Sequence, residues 1–281
     1  MQTIDLHSHS QYSDGRLSVS ELIEAARQAG VNTLALTDHD TTAGLAEAQQ
    51  YAADAGITLI PGVEISVTWR HLTVHILGLG IDADCDELQQ GLQALRDKRQ
   101  LRAQKIHDKL FDAGIEGALD WVEQRVNGGL ISRTHFAEFL VDAGYAKDMR
   151  AVFKHYLVRG KTGHVDMQWC ELSQALSWIR AAGGSAVIAH PARYKLTRTK
   201  LITLIEEFIA SGGVGLEVVS SSHNEQECQQ LAALAAQFQL YASQGSDFHS
   251  PNQAWAQLGR IPSLPAQCTP VWELWSDICK A

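Results

Sequence analysis

The sequence predicts an α/β protein in which helices cover parallel strands, with the sheet either open or closed into a barrel. Short apolar segments alternate with amphipathic helical segments through residues 1–83, and the alternation returns over residues 171–281. Between these parts, residues 84–170 lose the strand rhythm and have the pattern of a mostly helical insertion. We therefore expect one domain formed by residues 1–83 and 171–281, with residues 84–170 inserted as a cap.

The first half shows the alternation most clearly. Ser18 and Glu21 have the spacing of a capping box, and Gly30 stands where a helix C-cap glycine would, so a helix is predicted between them. The following segments predict a strand, a helix, a strand and a further pair of strands, in the order "NTLALT", "GLAEAQQYAADAG", "ITLI", "EISVTW" and "HLTVHILGL".

The second half repeats a helix followed by a strand three times. The strands are "SAVIAH", "GLEVVS" and "LYASQGSDFH", each preceded by an amphipathic segment. In the insertion, a long charged helix is predicted from about Asp86 to Ala113, followed by "RTHFAEFLVDAG" and "DMRAVFKHYL" as further helices.

Composition points to a protein of the cytoplasm. The 281 residues contain five scattered cysteines, never in a CxxC pair, which argues against a disulfide framework and against a thiolate zinc site. No basic and apolar leader precedes the first strand, and no run of about 18 apolar residues occurs. We expect no membrane association, and no stable protein partner is inferred.

The net charge of −9 is unevenly distributed. Residues 96–161 carry a net charge of +4, whereas the remainder carries −13. A basic segment beside an acidic body suggests an anion site in the insertion, although charged faces of a helical hairpin that contact only solvent explain the same pattern.

The stretch "DLHSHSQYSDG" places His7, His9 and Asp14 close together. Side chains at i and i+2 of an extended segment leave the same face, so His7 and His9 can bind one common atom, although two histidines in a polar loop also fit an isolated HxH. Comparable side chains follow or lie within the other predicted strands: His39, Glu64, His75, His190, Asp247 and His249. In barrel-like α/β folds, active sites form where the strands end, so these side chains predict a metal site.

These segments resemble the successive motifs of the polymerase-and-histidinol-phosphatase (PHP) superfamily. The motifs are "DLHSHSQYSDG", "ALTDHDTTAG", "IPGVEIS", "HILGL", "AVIAHPARY" and "GSDFH". The insertion's "ISRTHFAEFLVDAG" and "YLVRGKTGHV" resemble the subgroup of 3′,5′-nucleotide bisphosphate phosphatases and RNase AM type 5′-to-3′ exoribonucleases. The resemblance implies a distorted seven-stranded (β/α) barrel that holds three divalent ions.

The resemblance also implies which residues bind each ion. His7, His9, Glu64 and Asp247 would surround the first; Glu64, His75 and His190 the second; Asp14, His39 and His249 the third. Asp14, His39, Glu64 and His249 are accordingly expected to be catalytic. Imidazole and carboxylate ligands without thiolate suit manganese or iron, with zinc also possible.

The insertion is expected to bind a nucleotide phosphate, because guanidinium groups bind phosphate bidentately and lysine acts as a point charge. The candidate substrate-binding residues are Arg102, Ser132, Arg133, Thr134, Lys161, Arg193 and His223. Each has an alternative interpretation as a solvated charge, a helix cap or a surface side chain.

We interpret the chain as a metal-dependent phosphoesterase. It would remove the 3′-phosphate of 3′,5′-bisphosphonucleotides and trim short 5′-phosphorylated RNA from its 5′ end to nucleoside 5′-monophosphates. A histidinol-phosphate phosphatase is the nearest enzymatic alternative, and a non-catalytic metal-binding accessory module is the third. The complete ligand set argues against the module, and the basic insertion argues against a small amino-alcohol phosphate.

Overall fold

Seven strands form one sheet whose spatial order follows the chain. The computed structural model describes residues 3–126 and 128–275. The strands are β1 Ile4–Asp5, β2 Thr33–Leu36, β3 Thr58–Trp69, β4 Leu72–Leu79, β5 Ser185–Ile188, β6 Gly215–Ser220 and β7 Tyr241–Gly245.

The sheet curls until its last strand reaches its first. The backbone N–H of Leu6, just after β1, donates to the carbonyl of Gln244 in β7 at 3.0 Å. The Gln244 side chain donates in return to the Ile4 carbonyl of β1 at 2.8 Å. These contacts nearly close the barrel, which confirms the predicted seven-stranded α/β architecture.

The strand directions depart from the all-parallel expectation. The pairings of β4 with both β3 and β5 are antiparallel, whereas the remaining pairings are parallel. Only Arg70 and His71 separate β3 from β4, and a connection of two residues permits only an antiparallel hairpin. The segments "ITLI" and "EISVTW", predicted as separate strands, are one continuous strand of 12 residues through Pro61 and Gly62.

The helices lie largely where the sequence predicts them, and the insertion contains one further helix, Ala118–Val126. They are α1 Val19–Gln28, α2 Leu45–Ala55, α3 Asp86–Asp112, α4 Ala118–Val126, α5 Arg133–Asp142, α6 Met149–Val152, α7 Leu172–Ala181, α8 Arg198–Ala210 and α9 Glu225–Gln237. The predicted capping box is present at α1, where the Ser18 hydroxyl accepts from the Glu21 N–H and the Glu21 carboxylate accepts from the Ser18 N–H. A π-helical turn, Phe153–Leu157, continues α6.

The insertion has a hydrophobic core of its own. Leu88 and Leu95 in the first half of α3 pack into the barrel core. Ile106 and Leu110 in the second half pack instead with Phe136 of α5. Helix α3 thus belongs to both cores, and the division between them falls inside this helix. The boundaries of the insertion at residues 84 and 170 stay a prediction.

The cysteines of the described residues are unpaired. Cys85, Cys170, Cys228 and Cys268 are free thiols, and Cys279 lies outside the described residues. Within the described part of the chain, no helix is both long enough and apolar enough to cross a membrane.

Candidate metal centre

The nine predicted metal-ligating side chains converge at one end of the barrel. They arrive from six separate chain segments and form a continuous set of short contacts between imidazole nitrogens and carboxylate oxygens. The members are His7, His9, Asp14, His39, Glu64, His75, His190, Asp247 and His249.

Two histidines and two carboxylates enclose the deepest part of this cluster. The Nε2 atoms of His7 and His9 lie 3.4 and 3.3 Å from Glu64 Oε2. The same two nitrogens lie 3.4 and 3.3 Å from Asp247 Oδ1. Such separations suit ligands that share one ion, because ligands about 2.0–2.2 Å from a metal lie roughly 3–3.5 Å apart.

Glu64 links this group to its neighbours. Its Oε1 lies 2.9 Å from both His75 Nδ1 and His190 Nε2, and its Oε2 lies 2.9 Å from His39 Nδ1. The carboxylate is fully buried. It therefore faces imidazoles with both oxygens, as a carboxylate that bridges two ions would.

Asp14, His39 and His249 form a further group of candidate ligands, which we call the outer group. The Oδ1 atom of Asp14 lies 3.2 Å from His249 Nε2 and 3.8 Å from His39 Nε2. The His9 ring stacks on the His249 ring with centroids 4.1 Å apart. The observed groups of candidate ligands differ from the predicted ones, because His9 and His39 each belong to two groups.

The electrostatics favour ionised carboxylates. Burial opposes the charge, but the surrounding histidines outweigh it and hold the pKa of Asp14, Glu64 and Asp247 well below the usual carboxyl range. Burial likewise opposes the charged form of His9, yet Asp247 and Glu64 raise its pKa to about 9. The cluster thus holds cations between its carboxylates, either as imidazolium protons or as metal ions.

Several of the converging atoms lack a hydrogen-bond partner in the described structure. They include His7 Nε2, His9 Nε2, Glu64 Oε2 and Asp14 Oδ1, all buried. Buried polar atoms are normally satisfied, so four such atoms that face one another indicate a missing partner. An all-nitrogen-and-oxygen donor set of this kind fits a divalent transition ion.

Glu217 is a supporting residue that the sequence reasoning missed. It lies on β6, is fully buried, and its Oε1 lies 3.0 Å from His7 Nδ1. Its Oε2 accepts from the backbone N–H of His190 at 2.5 Å. A carboxylate that accepts from Nδ1 leaves Nε2 free for a metal. The available signal was a lone glutamate inside the apolar strand "GLEVVS".

A second missed contact ties the insertion to the cluster. Arg99 of α3 donates to the Asp40 carboxylate at 2.7 Å and to the Ser66 hydroxyl at 2.9 Å. Asp40 also accepts from the Ser66 N–H at 2.7 Å. Burial opposes the Asp40 charge, but Arg99 lowers the pKa of this carboxyl. The loop that carries His39 is thereby joined to helix α3.

A cavity of about 530 Å³ opens onto the cluster, and we call it the upper cavity. Both the barrel and the insertion line it, and it contains most of the predicted substrate-binding residues: Arg102, Ser132, Arg133, Thr134 and Arg193. Lys161 and His223 do not line it. Lys161 is exposed on the turn after the π-helical segment, where Arg159 reaches the cavity instead. His223 points its Nδ1 at the Val218 carbonyl of β6, 3.1 Å away.

The arginines of the upper cavity form a cationic wall. Arg102 is buried, and its guanidinium lies 4.7 Å from the centre of the Trp169 ring. Burial and the nearby Arg99 and Arg133 lower the pKa of Arg102 well below its usual value. An anion bound here would offset the repulsion among these three guanidinium groups. Arg193 forms an ion pair with the Asp247 carboxylate, at the edge of the cluster.

Thr134 connects the cationic wall with the cluster. Its hydroxyl donates to Asp14 Oδ2 at 3.1 Å, and Ser132 caps helix α5 by accepting from the Thr134 N–H. The first turn of α5 therefore places Arg133 directly beside the outer group of candidate ligands.

The chain is similar over nearly its whole length to two named bacterial proteins. A relative from Chromobacterium violaceum, named 3′,5′-nucleoside bisphosphate phosphatase, is 48% identical over 276 residues, which cover 97% of this chain and 96% of that protein. The 5′-3′ exoribonuclease Rnm of Escherichia coli is 46% identical over 275 residues, which cover 97% of this chain and 94% of the relative.

A solved structure from Chromobacterium violaceum shares the fold with a TM-score of 0.94. It is described as an amidohydrolase with bound sulfate and no metal, is 47% identical, and the match covers 98% of this chain and 96% of that one. The family model named PHP domain matches residues 5–221. The chain belongs to the PHP domain family.

Proposed function

We propose that this protein is a metal-dependent phosphoesterase that removes the 3′-phosphate of 3′,5′-bisphosphonucleotides and trims short 5′-phosphorylated RNA from its 5′ end. The observation that carries the proposal is the upper cavity, where a histidine and carboxylate cluster faces a wall of arginines. The names of the two full-length relatives support the same pair of activities. The cationic wall favours a phosphoester over an uncharged amide substrate.

We further propose that the cluster binds three divalent ions, manganese first, with iron or zinc as alternatives. The first ion would lie among His7, His9, Glu64 and Asp247, the second beside Glu64, His75 and His190, and the third among Asp14, His39 and His249. Bound ions of this kind lower the pKa of a water molecule and neutralise negative charge on phosphoryl oxygens. The scattered cysteines remain consistent with a cytoplasmic location.

The side chains of this protein would position the substrate. Arg133 and Arg102 would bind the 5′-phosphate, while Arg193 would contact the 3′-phosphoryl group, since it lies beside Asp247. In the reaction, an oxygen–phosphorus bond forms from water, the bond between phosphorus and the 3′-oxygen breaks, and the 3′-oxygen takes up a proton.

One geometry accounts for both substrates. In a bisphosphonucleotide the 3′ group leaves as inorganic phosphate. In RNA the phosphate remains on the next nucleotide as a new 5′-phosphate, so the shortened RNA is again a substrate. Stepwise 5′-to-3′ degradation to nucleoside 5′-monophosphates follows.

The test compares substrates on manganese-loaded protein. We expect phosphate release from adenosine 3′,5′-bisphosphate to exceed release from histidinol phosphate by orders of magnitude in kcat/KM. We also expect 5′-phosphorylated RNA to yield nucleoside 5′-monophosphates. A preference for histidinol phosphate, or no hydrolysis of either phosphoester, would refute the proposal.

A further inference from the structure

A second cavity, of about 410 Å³, lies on another side of the same cluster, and we call it the lower cavity. The two cavities share six lining residues, which are Asp14, Thr134, Phe153, Arg193, Asp247 and His249. The candidate metal ligands therefore form a common wall between two open spaces. A bisphosphonucleotide whose 5′-phosphate binds the arginines of the upper cavity would not account for the lower cavity.

The lower cavity is lined by an unusually exposed tryptophan. Trp255 is 55% exposed, which makes it one of the two most exposed large hydrophobic side chains of the described residues. Tryptophan is enriched at binding interfaces, because its large apolar ring carries a polar N–H group. Trp255 follows β7 and lies six residues after the candidate ligand His249.

The loop around Trp255 is held in place on both sides. The adjacent Ala256 is completely buried, and Leu258 is 5% exposed. The Gln257 side chain donates to the Gln253 carbonyl at 2.8 Å, which closes the loop on itself. These contacts anchor the backbone next to Trp255, while more than half of its indole side chain stays exposed. The amide side chains of Asn252 and Gln253 and the ring of Phe153 line the same cavity.

We propose that the lower cavity binds the second nucleotide of a single-stranded RNA, with the Trp255 indole stacked on its base. This inference rests on the proposed function. With the first nucleotide in the upper cavity and the scissile phosphorus at the cluster, the remaining RNA must leave through another opening that reaches the cluster. The lower cavity is such an opening.

The chemistry of the lower cavity suits an RNA of any sequence. Every base has a π face, so stacking on tryptophan tolerates all four, and amide side chains contribute adaptable hydrogen bonds. The cleavage itself is unchanged: the phosphate stays on the nucleotide in the lower cavity, and the freed 3′-oxygen stays on the nucleotide in the upper cavity.

The experiment uses two substrates that differ only beyond the scissile phosphate. Adenosine 3′,5′-bisphosphate ends there, whereas 5′-phosphorylated ApA continues with a second nucleoside. We expect Trp255→Ala to lower kcat/KM for the dinucleotide by about 5- to 150-fold, the range for loss of one stacked base. Hydrolysis of the bisphosphate should stay within about twofold of wild type. Trp255→Phe should retain most of the wild-type kcat/KM for the dinucleotide.

Phe111→Ala is the matched control, because Phe111 is equally exposed on α3 and lines neither cavity. It should leave both substrates unaffected. An equal effect of Trp255→Ala on both substrates, or no effect on either, would overturn the inference.

A binding measurement separates this inference from the proposed function. Calorimetry on manganese-loaded protein would use a 5′-phosphorylated ApA analogue in which methylene replaces the scissile 3′-oxygen, with AMP as reference. We expect Trp255→Ala to weaken binding of the analogue and not of AMP. If wild-type protein hydrolyses neither substrate yet this difference persists, the proposed reaction fails and the assignment of the lower cavity stands. If the difference is absent, the assignment is wrong.

Discussion

Replacing Glu217 by glutamine tests whether a buried carboxylate prepares His7 to bind a metal. Glu217 offers two acceptor oxygens, one to His7 Nδ1 at 3.0 Å and one to the His190 backbone N–H at 2.5 Å. Glutamine keeps the shape but offers only one acceptor, so its amide NH₂ must face one of these two donors. Either the His190 N–H loses its partner, or His7 moves its proton to Nε2, the atom that faces the cluster.

The structure sets the size of the expected effect. Loss of a partner that orients a metal-binding histidine typically costs 10- to 100-fold in metal affinity, equivalent to about 1.4–2.7 kcal/mol. A buried donor left unpaired costs about 1–3 kcal/mol of folding free energy. Because Glu217 is fully buried, solvent cannot replace the lost contact.

The assay titrates metal-free protein with manganese against a competing chelator and measures the free energy of unfolding in parallel. Glu206→Gln is the control, because this exposed glutamate on α8 undergoes the same chemical change and lines neither cavity. We expect weaker metal binding and lower stability for Glu217→Gln and no change for the control. Wild-type metal affinity in Glu217→Gln would refute the proposed role in orienting His7.

Three further predictions follow from the cluster and the upper cavity. Arg133→Ala should raise the activation free energy for 5′-phosphorylated RNA by about 1.5–3 kcal/mol, measured as a lower kcat/KM, with little effect on 5′-hydroxyl RNA. Lys161→Ala should change neither rate, because Lys161 does not line the upper cavity. Glu64→Gln should lose more than one ion per chain by elemental analysis, because both Glu64 oxygens face candidate ligands; loss of a single ion would contradict a bridging role. In chelator-treated protein, the pKa of His9 is about 9 when folded and 6.5 when unfolded, so its protonated form stabilises the fold fully below pH 6.5. That contribution, on the order of 3 kcal/mol, should disappear as the pH rises through 9; a free energy of unfolding that stays constant from pH 6.5 to 9.5 would show that His9 titrates normally.

Local patterns predicted the elements of the fold but not every strand direction. The capping box at Ser18 and the apolar period of the following residues determine helix α1 within its own segment, so the sequence suffices there. The direction of a strand relative to its neighbours depends on which strands pair in the folded sheet. The hairpin turn at Arg70 and His71 carries the needed information, but these residues do not form a typical Asn-Gly or Asp-Gly turn.

The candidate ligands could be identified from the sequence because each follows or interrupts an apolar strand. The residues that support them through hydrogen bonds and ion pairs could not. Arg99 and Asp40 are 59 residues apart, and nothing local distinguishes Arg99 from the other basic residues of α3. Lys161 was chosen from a basic motif, but the turn after the π-helical segment directs Arg159 to the cavity instead. Motifs specify residue types, and the three-dimensional path of a loop decides which of two neighbouring cations reaches a site.

The antiparallel hairpin and the cluster of candidate metal ligands are two consequences of the same long strand. Strand β3 extends well past the end of β2, and the first residues of this extension bring Glu64 into the centre of the cluster. There the Glu64 N–H donates to the Asp38 carbonyl and its carbonyl accepts from the Asp40 N–H, so the backbone of β3 fixes the residues on both sides of His39. Beyond Glu64, Ser66 and Thr68 line the upper cavity. On its other edge, the same part of β3 pairs with β4, and β4 contributes His75. The departure from a parallel barrel is thus the feature that adds both a ligand and a cavity wall.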